Sequence, residues 1–183
     1  MKRYVTFAVL AAVLGACKKA PPPAPDPSAA LADLRAEDPQ RGGRAVLAVV
    51  EFGDLAVPGL IEMLTEWDPR VRTRAASALW LLGAKACPAV PGLVGLLDDP
   101  DVEVRRTVTM ALSNVGSCAS LAVPRLIAAL KDEDPAVKQY AAKALGAVGP
   151  PAEAAMPALA AMARIDSLRP AAEEAMRRIR GGR

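Results

Sequence analysis

From residue 28 onward, small and apolar residues recur at helical spacing, and the pattern repeats. Ala75, Ala78, Leu79 and Leu82 form one stripe; Val108, Ala111, Leu112 and Val115 form the next; Ala141, Ala144, Leu145 and Val148 form a third. Residues three and four apart share one face of a helix, so each set predicts a helix with one buried side. Each stripe ends at a glycine, Gly83, Gly116 or Gly149, where a left-handed residue stops a helix at little cost. A second stripe then opens with proline: Pro58 before Leu60, Ile61, Met63 and Leu64; Pro91 before Leu93, Val94, Leu96 and Leu97; Pro124 before Leu126, Ile127, Ala129 and Leu130. Proline suits a first helical turn because its missing N–H has no partner to lose there. Pro58, Pro91, Pro124 and Pro157 lie 33 residues apart, as do the three glycines, and a fixed period of this size predicts a solenoid of stacked helix pairs.

Asp68-Pro69, Asp99-Pro100 and Asp134-Pro135 mark turns between units, because the residue before proline is pushed out of helical geometry. Units two, three and four occupy about 66–98, 99–131 and 132–165. The first unit, Asp38 to Leu64, is degenerate: Arg41 stands where later units have Val71, Val104 and Val137, Gly42 and Gly43 weaken the helix start, and the loop after Gly53 is shorter by three. Before it, Ser28 to Leu34 reads as a half-repeat with Ser28 as N-cap. A final helix from Pro170 to about Arg180 carries Ala172, Ala175, Met176 and Ile179 as its buried stripe.

The stretch Asp99 to Gly116 (DPDVEVRRTVTMALSNVG) resembles the HEAT repeat, particularly its bacterial HEAT-like form, and Asp132 to Gly149 resembles it more closely still. The resemblance covers roughly residues 28–180, within a repeat domain over 28–183, and implies an all-α, right-handed superhelix of about four helix pairs with capping helices. It implies an acid/base ladder between units from Glu66 and Arg72, Asp99 and Arg105, and Asp132 and Lys138. It also implies that the second helices line the concave face, where Gly59, Glu62, Gly92, Gly95, Arg125, Ala128, Ala158 and Ala161 point outward. That face is small, smooth and weakly charged, and suits an apposed helix or an extended peptide.

Residues 1–16 read as a signal peptide: Lys2 and Arg3, an apolar run from Tyr4 to Leu14, and a small-residue end. The run is shorter than the ~20 residues that cross a bilayer. Leu14-Gly15-Ala16-Cys17 resembles the lipobox of a bacterial lipoprotein, which implies acylation of Cys17, and Lys18 after it resembles sorting to the outer membrane, facing the periplasm. An ordinary cleaved signal with an incidental cysteine is the alternative. Residues 17–27 then form a lipidated, proline-rich tether, reaching roughly 30 Å as extended polyproline. Removal of Lys2 and Arg3 leaves 21 basic against 20 acidic side chains, a net +1. Such a chain lacks the basic surface that nucleic-acid binding requires.

The chain has no histidine, which removes the commonest general base, metal ligand and nucleophile partner. No phosphate-binding glycine loop and no metal-ligand cysteine spacing occurs. No cofactor and no metal is therefore expected. Cys87 and Cys118 fall in the same inter-helix loop of adjacent units and can form a disulfide if the loops lean to within about 7 Å between Cα atoms. Trp80 stands on its helix where the next units have Ser113 and Gly146, residues of exposed type, and reads either as a partner-facing anchor or as packing. Trp67, beside the Asp68-Pro69 turn, reads as a cap over the groove between units.

The expected function is a membrane-tethered, non-catalytic scaffold that holds a protein partner in the cell envelope, with Trp80, Glu62, Gly92, Gly95, Arg125 and Ala128 as candidate contacts. Two alternatives stand beside it. One is an enzyme or enzyme subunit, since HEAT-like repeats also resemble phycobilin lyase subunits; the other is a structural envelope protein without a specific partner.

Overall fold

The computed structural model describes residues 26–181; the signal segment, Cys17 and most of the proline tether lie outside them. Four helix pairs follow one another: α2 (Pro39–Val50) with α3 (Val57–Met63), α4 (Pro69–Leu82) with α5 (Val90–Gly95), α6 (Val102–Val115) with α7 (Val123–Ala129), and α8 (Pro135–Val148) with α9 (Met156–Met162). The half-repeat α1 (Ser28–Asp33) precedes them and α10 (Arg169–Ile179) follows. Among the described residues there is no β-strand. The first helices α2, α4, α6, α8 and α10 pack against one another in series as one layer, while the shorter second helices form the other layer and touch each other sparsely.

Every first helix of a pair begins in the same way. Asp38, Asp68, Asp101 and Asp134 hold extended backbone, and their carboxylates accept from N–H groups of the first turn, at 2.8 Å for Arg70 and Glu103 and 3.0 Å for Gln40 and Ala136. An aspartate there satisfies donors that the helix leaves without partners. In the third unit the cap is Asp101, directly after the Asp99-Pro100 turn; Asp99 keeps a different task, described below. Ser28 is not an N-cap: it is the first residue of α1, and both its N–H and its hydroxyl donate to Asp26.

The helices end at Gly83, Gly116 and Gly149, with φ of 57°, 77° and 77°. The positive φ matches expectation, but ψ lies between −127° and −144°, outside the left-handed helical well and in a region that glycine alone visits readily. After each glycine the chain turns through a 3-10 segment in place of an open loop. Ala86, Ala89, Ala119, Ala122, Ala152 and Ala155 in these segments are fully buried, so the connections belong to the core.

All twelve first-helix stripe residues named above are buried, within one apolar cluster that runs from Leu34 to Ile179. In the second helices Ile61, Val94, Leu96 and Ile127 are only half-buried, leaving apolar edges at the surface. Gly42 and Gly43 do not delay α2, because Asp38 caps the helix ahead of them. Gly42 is required for another reason: a Cβ there would lie 2.0 Å from the Arg74 guanidinium carbon. That guanidinium crosses α2 to donate to the carbonyls of Leu34 (2.8 Å) and Ala36 (2.6 Å), closing the end of the half-repeat. At the other end, α10 buries Ala172, Ala175 and Ile179, with Met176 half-buried. Gly146 is buried too, against expectation, because α10 comes so close that an added Cβ would stand 3.0 Å from the Ala175 Cα.

Candidate functional site

The turns between units hold an ion-pair ladder, and its connections differ from the expected spacing of six. Arg72 Nη1 donates to the carbonyls of Glu66 and Trp67, each at 2.8 Å, whereas its charge is met by Asp99 of the next unit, with Nη2 to Oδ1 at 2.9 Å. Arg105 repeats this arrangement: Nη1 donates to the Asp99 carbonyl at 2.9 Å, and Nε and Nη2 reach Asp132 at 2.8 and 3.2 Å. Each base therefore pairs with the acid 27 residues on, and holds its own unit's turn through backbone carbonyls. Arg35 of the half-repeat supplies the first rung by donating to Glu66. Asp99 and Asp132 are 4% and 10% exposed at the side chain, so these rungs are largely shielded from water.

A parallel contact lies on the first helices, where Arg106 reaches across to Asp134. Hydrogen bonding from Arg106 is the main cause that lowers the Asp134 carboxyl from an ordinary 3.8 to about 2, against some opposing desolvation. The same pairing raises Arg106. Both are structural consequences of capping and stacking. Among the described residues the buried carboxylate is Asp99, and it is paired with Arg72.

Beside the ladder, the sparse packing of the second helices opens a groove that recurs with the repeat. One groove, of about 660 Å³, lies between the α3 end and α5 and includes Leu64, Thr65, Arg72, Gly92, Gly95, Leu96 and Asp99 in its walls. Another, of about 280 Å³, is lined by Leu130, Lys131, Lys138, Ala158, Ala161, Met162 and Ile165, which are the same seven positions two units later. At two of these positions the first groove has glycine, Gly92 and Gly95, and the second has alanine, Ala158 and Ala161. Between the two, Arg125 pairs with Asp98 across the equivalent place, and both side chains are well exposed.

Four of the candidate contacts, Glu62, Gly95, Arg125 and Ala128, are exposed on the second-helix layer. Gly95 has open space around it, with no atom within 4 Å of an added Cβ. Gly92 is half-buried, since a Cβ would meet Leu64 Cδ1 at 3.0 Å, and it forms groove floor instead of an outward position. Trp80 lies on α4 in the first-helix layer, away from the other candidate contacts, half-buried against the core. Trp67 does not cap its groove. The residue is 85% exposed on the rim and presents a large aromatic surface to solvent in place of the expected cap.

Cys87 and Cys118 are joined as a disulfide, with Cα atoms 5.6 Å apart, between the 3-10 segments of units two and three. Among the described residues no group of three or more His, Cys, Asp or Glu side chains stands where it could hold a metal ion. What the arrangement offers is two shallow, partly apolar grooves with charged residues in their walls, two units apart on one face.

Comparison with known proteins agrees with this architecture. A family profile described as HEAT repeats matches residues 57–123 and 90–177. Among solved structures, an engineered protein is 25% identical with a TM-score of 0.65, covering 85% of this chain and 80% of its own. The complex of CpcE and CpcF of phycocyanin lyase from Nostoc sp. PCC7120 gives 18% identity and a TM-score of 0.70, over 82% of this chain and 97% of that one. A designed armadillo repeat protein in complex with the peptide (KR)4 gives 19% identity and a TM-score of 0.65, over 83% and 81%. No curated protein matches.

Proposed function

We propose, from the premise that this chain belongs to the HEAT-repeat family, that it is a non-catalytic scaffold whose second-helix layer holds a protein partner. The observation that carries this reading is the groove that recurs at the same seven positions two units apart. A recurring groove on a rigid solenoid receives an extended or helical segment along its length, as repeat proteins commonly do. The designed armadillo chain in complex with a peptide has the same kind of layered fold. Catalysis has less support here: the most buried carboxylate is neutralised by an arginine, and the chain contains no histidine to move a proton.

The scaffold works, in this reading, in the cell envelope, anchored through an acylated Cys17 to the outer membrane and facing the periplasm. The lipobox-like Leu14-Gly15-Ala16-Cys17 and Lys18 support that location, as does a disulfide between Cys87 and Cys118, which persists in oxidising compartments. Cross-linking in membranes of the native host, followed by mild detergent extraction, tests both parts. A stoichiometric protein recovered with the wild type is expected, and Cys17→Ser should move the chain to the soluble periplasmic fraction. Recovery of no protein would remove the scaffold reading, and a Cys17→Ser chain still in membranes would remove the anchor.

A further inference from the structure

The ladder stops one rung short, and the place where it stops is a groove. Arg72 meets Asp99 and Arg105 meets Asp132, each 27 residues on. The next base in the series is Lys138, and 27 residues beyond it stands Ile165, not an acid. Among the described residues Lys138 makes no ion pair, and neither does Lys131 beside it. Both line the groove of unit four with Ala158, Ala161, Met162 and Ile165. In the equivalent groove two units earlier the corresponding positions hold Arg72 and Asp99, already neutralised by one another, and the uncharged Thr65. The fourth groove therefore combines an apolar floor with two ammonium groups that make no ion pair among the described residues.

We infer that this open rung is the docking point for an acidic peptide segment of the partner, whose carboxylate takes the position that Asp99 and Asp132 take in the earlier rungs. This deepens the scaffold reading and rests on it. The chemistry of the walls selects the occupant. Two ammonium groups beside a floor of alanine, methionine and isoleucine match a segment that alternates carboxylate and aliphatic side chains, because an extended chain turns successive residues to opposite sides. A polyanion would leave most of its charge unmet. The earlier rungs show that an aspartate carboxylate fits this position: Arg105 and Asp132 meet there at 2.8 Å.

The test is fluorescence anisotropy with the full mature chain and a labelled peptide, acetyl-GLDLDLG-amide, against its amide counterpart acetyl-GLNLNLG-amide. The acidic peptide should bind about ten-fold more tightly, the factor one charge-assisted hydrogen bond supplies. Lys138→Met, which keeps the aliphatic stem, should remove that preference, and Lys138→Arg should retain it. Ile165→Asp completes the rung from within the chain and should abolish acidic-peptide binding; Ile165 is 47% exposed, so the change leaves the core intact, which circular dichroism verifies. Equal affinity for the two peptides, or undiminished acidic-peptide binding by a folded Ile165→Asp chain, overturns the inference. The same variant in membranes separates this inference from the broader one. If Ile165→Asp keeps a partner that Gly95→Arg/Ala128→Arg loses, the scaffold stands and the open rung falls.

Discussion

Arg105→Met is the perturbation that weighs the ladder as a stabilising device. Arg105 is chosen over Arg72 because the rung from Arg72 to Asp99 joins units two and three, which the Cys87–Cys118 disulfide already ties together. The Arg105 side chain is 18% exposed and makes two contacts with Asp132, itself 10% exposed, and one short bond to the Asp99 carbonyl. Methionine keeps most of the packed volume but leaves a carboxylate shielded from water without its partner. Breaking a fully buried pair in this way costs about 3–5 kcal/mol, and the residual exposure here places the expectation at about 3. For a domain of this size 1 kcal/mol moves Tm by about 2–4 °C, so Tm should fall by about 6–12 °C.

The assay is thermal and urea unfolding followed by circular dichroism, with the disulfide intact, on Arg105→Met, Asp132→Asn and the double variant. Asp132→Asn relieves the orphaned charge, so the double variant should recover about 1–2 kcal/mol relative to the sum of the single losses. Arg125→Met is the control. Arg125 and Asp98 are 48% and 67% exposed, and a solvated pair of this kind contributes under about 1 kcal/mol. A loss from Arg105→Met no larger than from Arg125→Met would refute the view that shielded rungs hold the units together.

Other outcomes follow from the same geometry. Gly116→Ala forces a side chain into φ 77°, ψ −139° and should destabilise by about 1–3 kcal/mol in the same unfolding assay, even though open space surrounds the site. Asp134 has a folded pKa of about 2 against 3.8, so its stabilising share is present above pH 3.8 and is lost as pH falls through about 2. Acid titration of unfolding should show a drop in that window that Asp134→Ala flattens, with about 1 kcal/mol also lost near neutrality with the helix cap. Cys87→Ser/Cys118→Ser, which opens a crosslink between residues 31 apart, should lower stability by about 3–4 kcal/mol. Alkylation of denatured, unreduced protein should label neither thiol of the wild type, and two labelled thiols would remove the bond.

The solenoid was legible because its cause is local and periodic. The stripes, the glycine stops and the proline starts each act within a few residues, and repetition at 33 residues made them countable. The errors share the opposite property. Gly146 reads as exposed by residue type, yet its burial depends on what the neighbouring helix brings: Ala175 of α10 closes over it in a contact between elements far apart in the chain. The ladder acids Glu66, Asp99 and Asp132 are legible at the 33-residue period, but their partners are not: Arg72 and Arg105 reach Asp99 and Asp132 of the next unit, 27 residues on. Asp68, Asp101 and Asp134 form the separate series of caps. Aligning the units position by position would have separated the two series and exposed Ile165 as the missing acid. The grooves could not be read this way. They depend on how far apart successive second helices stand, which packing of the first-helix layer decides.

Partner capture from native membranes, comparing the wild type with Gly95→Arg/Ala128→Arg and with Trp80→Ala, bears most directly on the claim that the second-helix layer is the binding face. Gly95 and Ala128 are exposed there, and arginine at both positions obstructs the face that carries the grooves without entering the core. The account predicts that the partner is lost from the double variant and kept by a folded Trp80→Ala chain. A partner kept by the double variant and lost with Trp80→Ala would contradict it and move the binding surface to the first-helix layer.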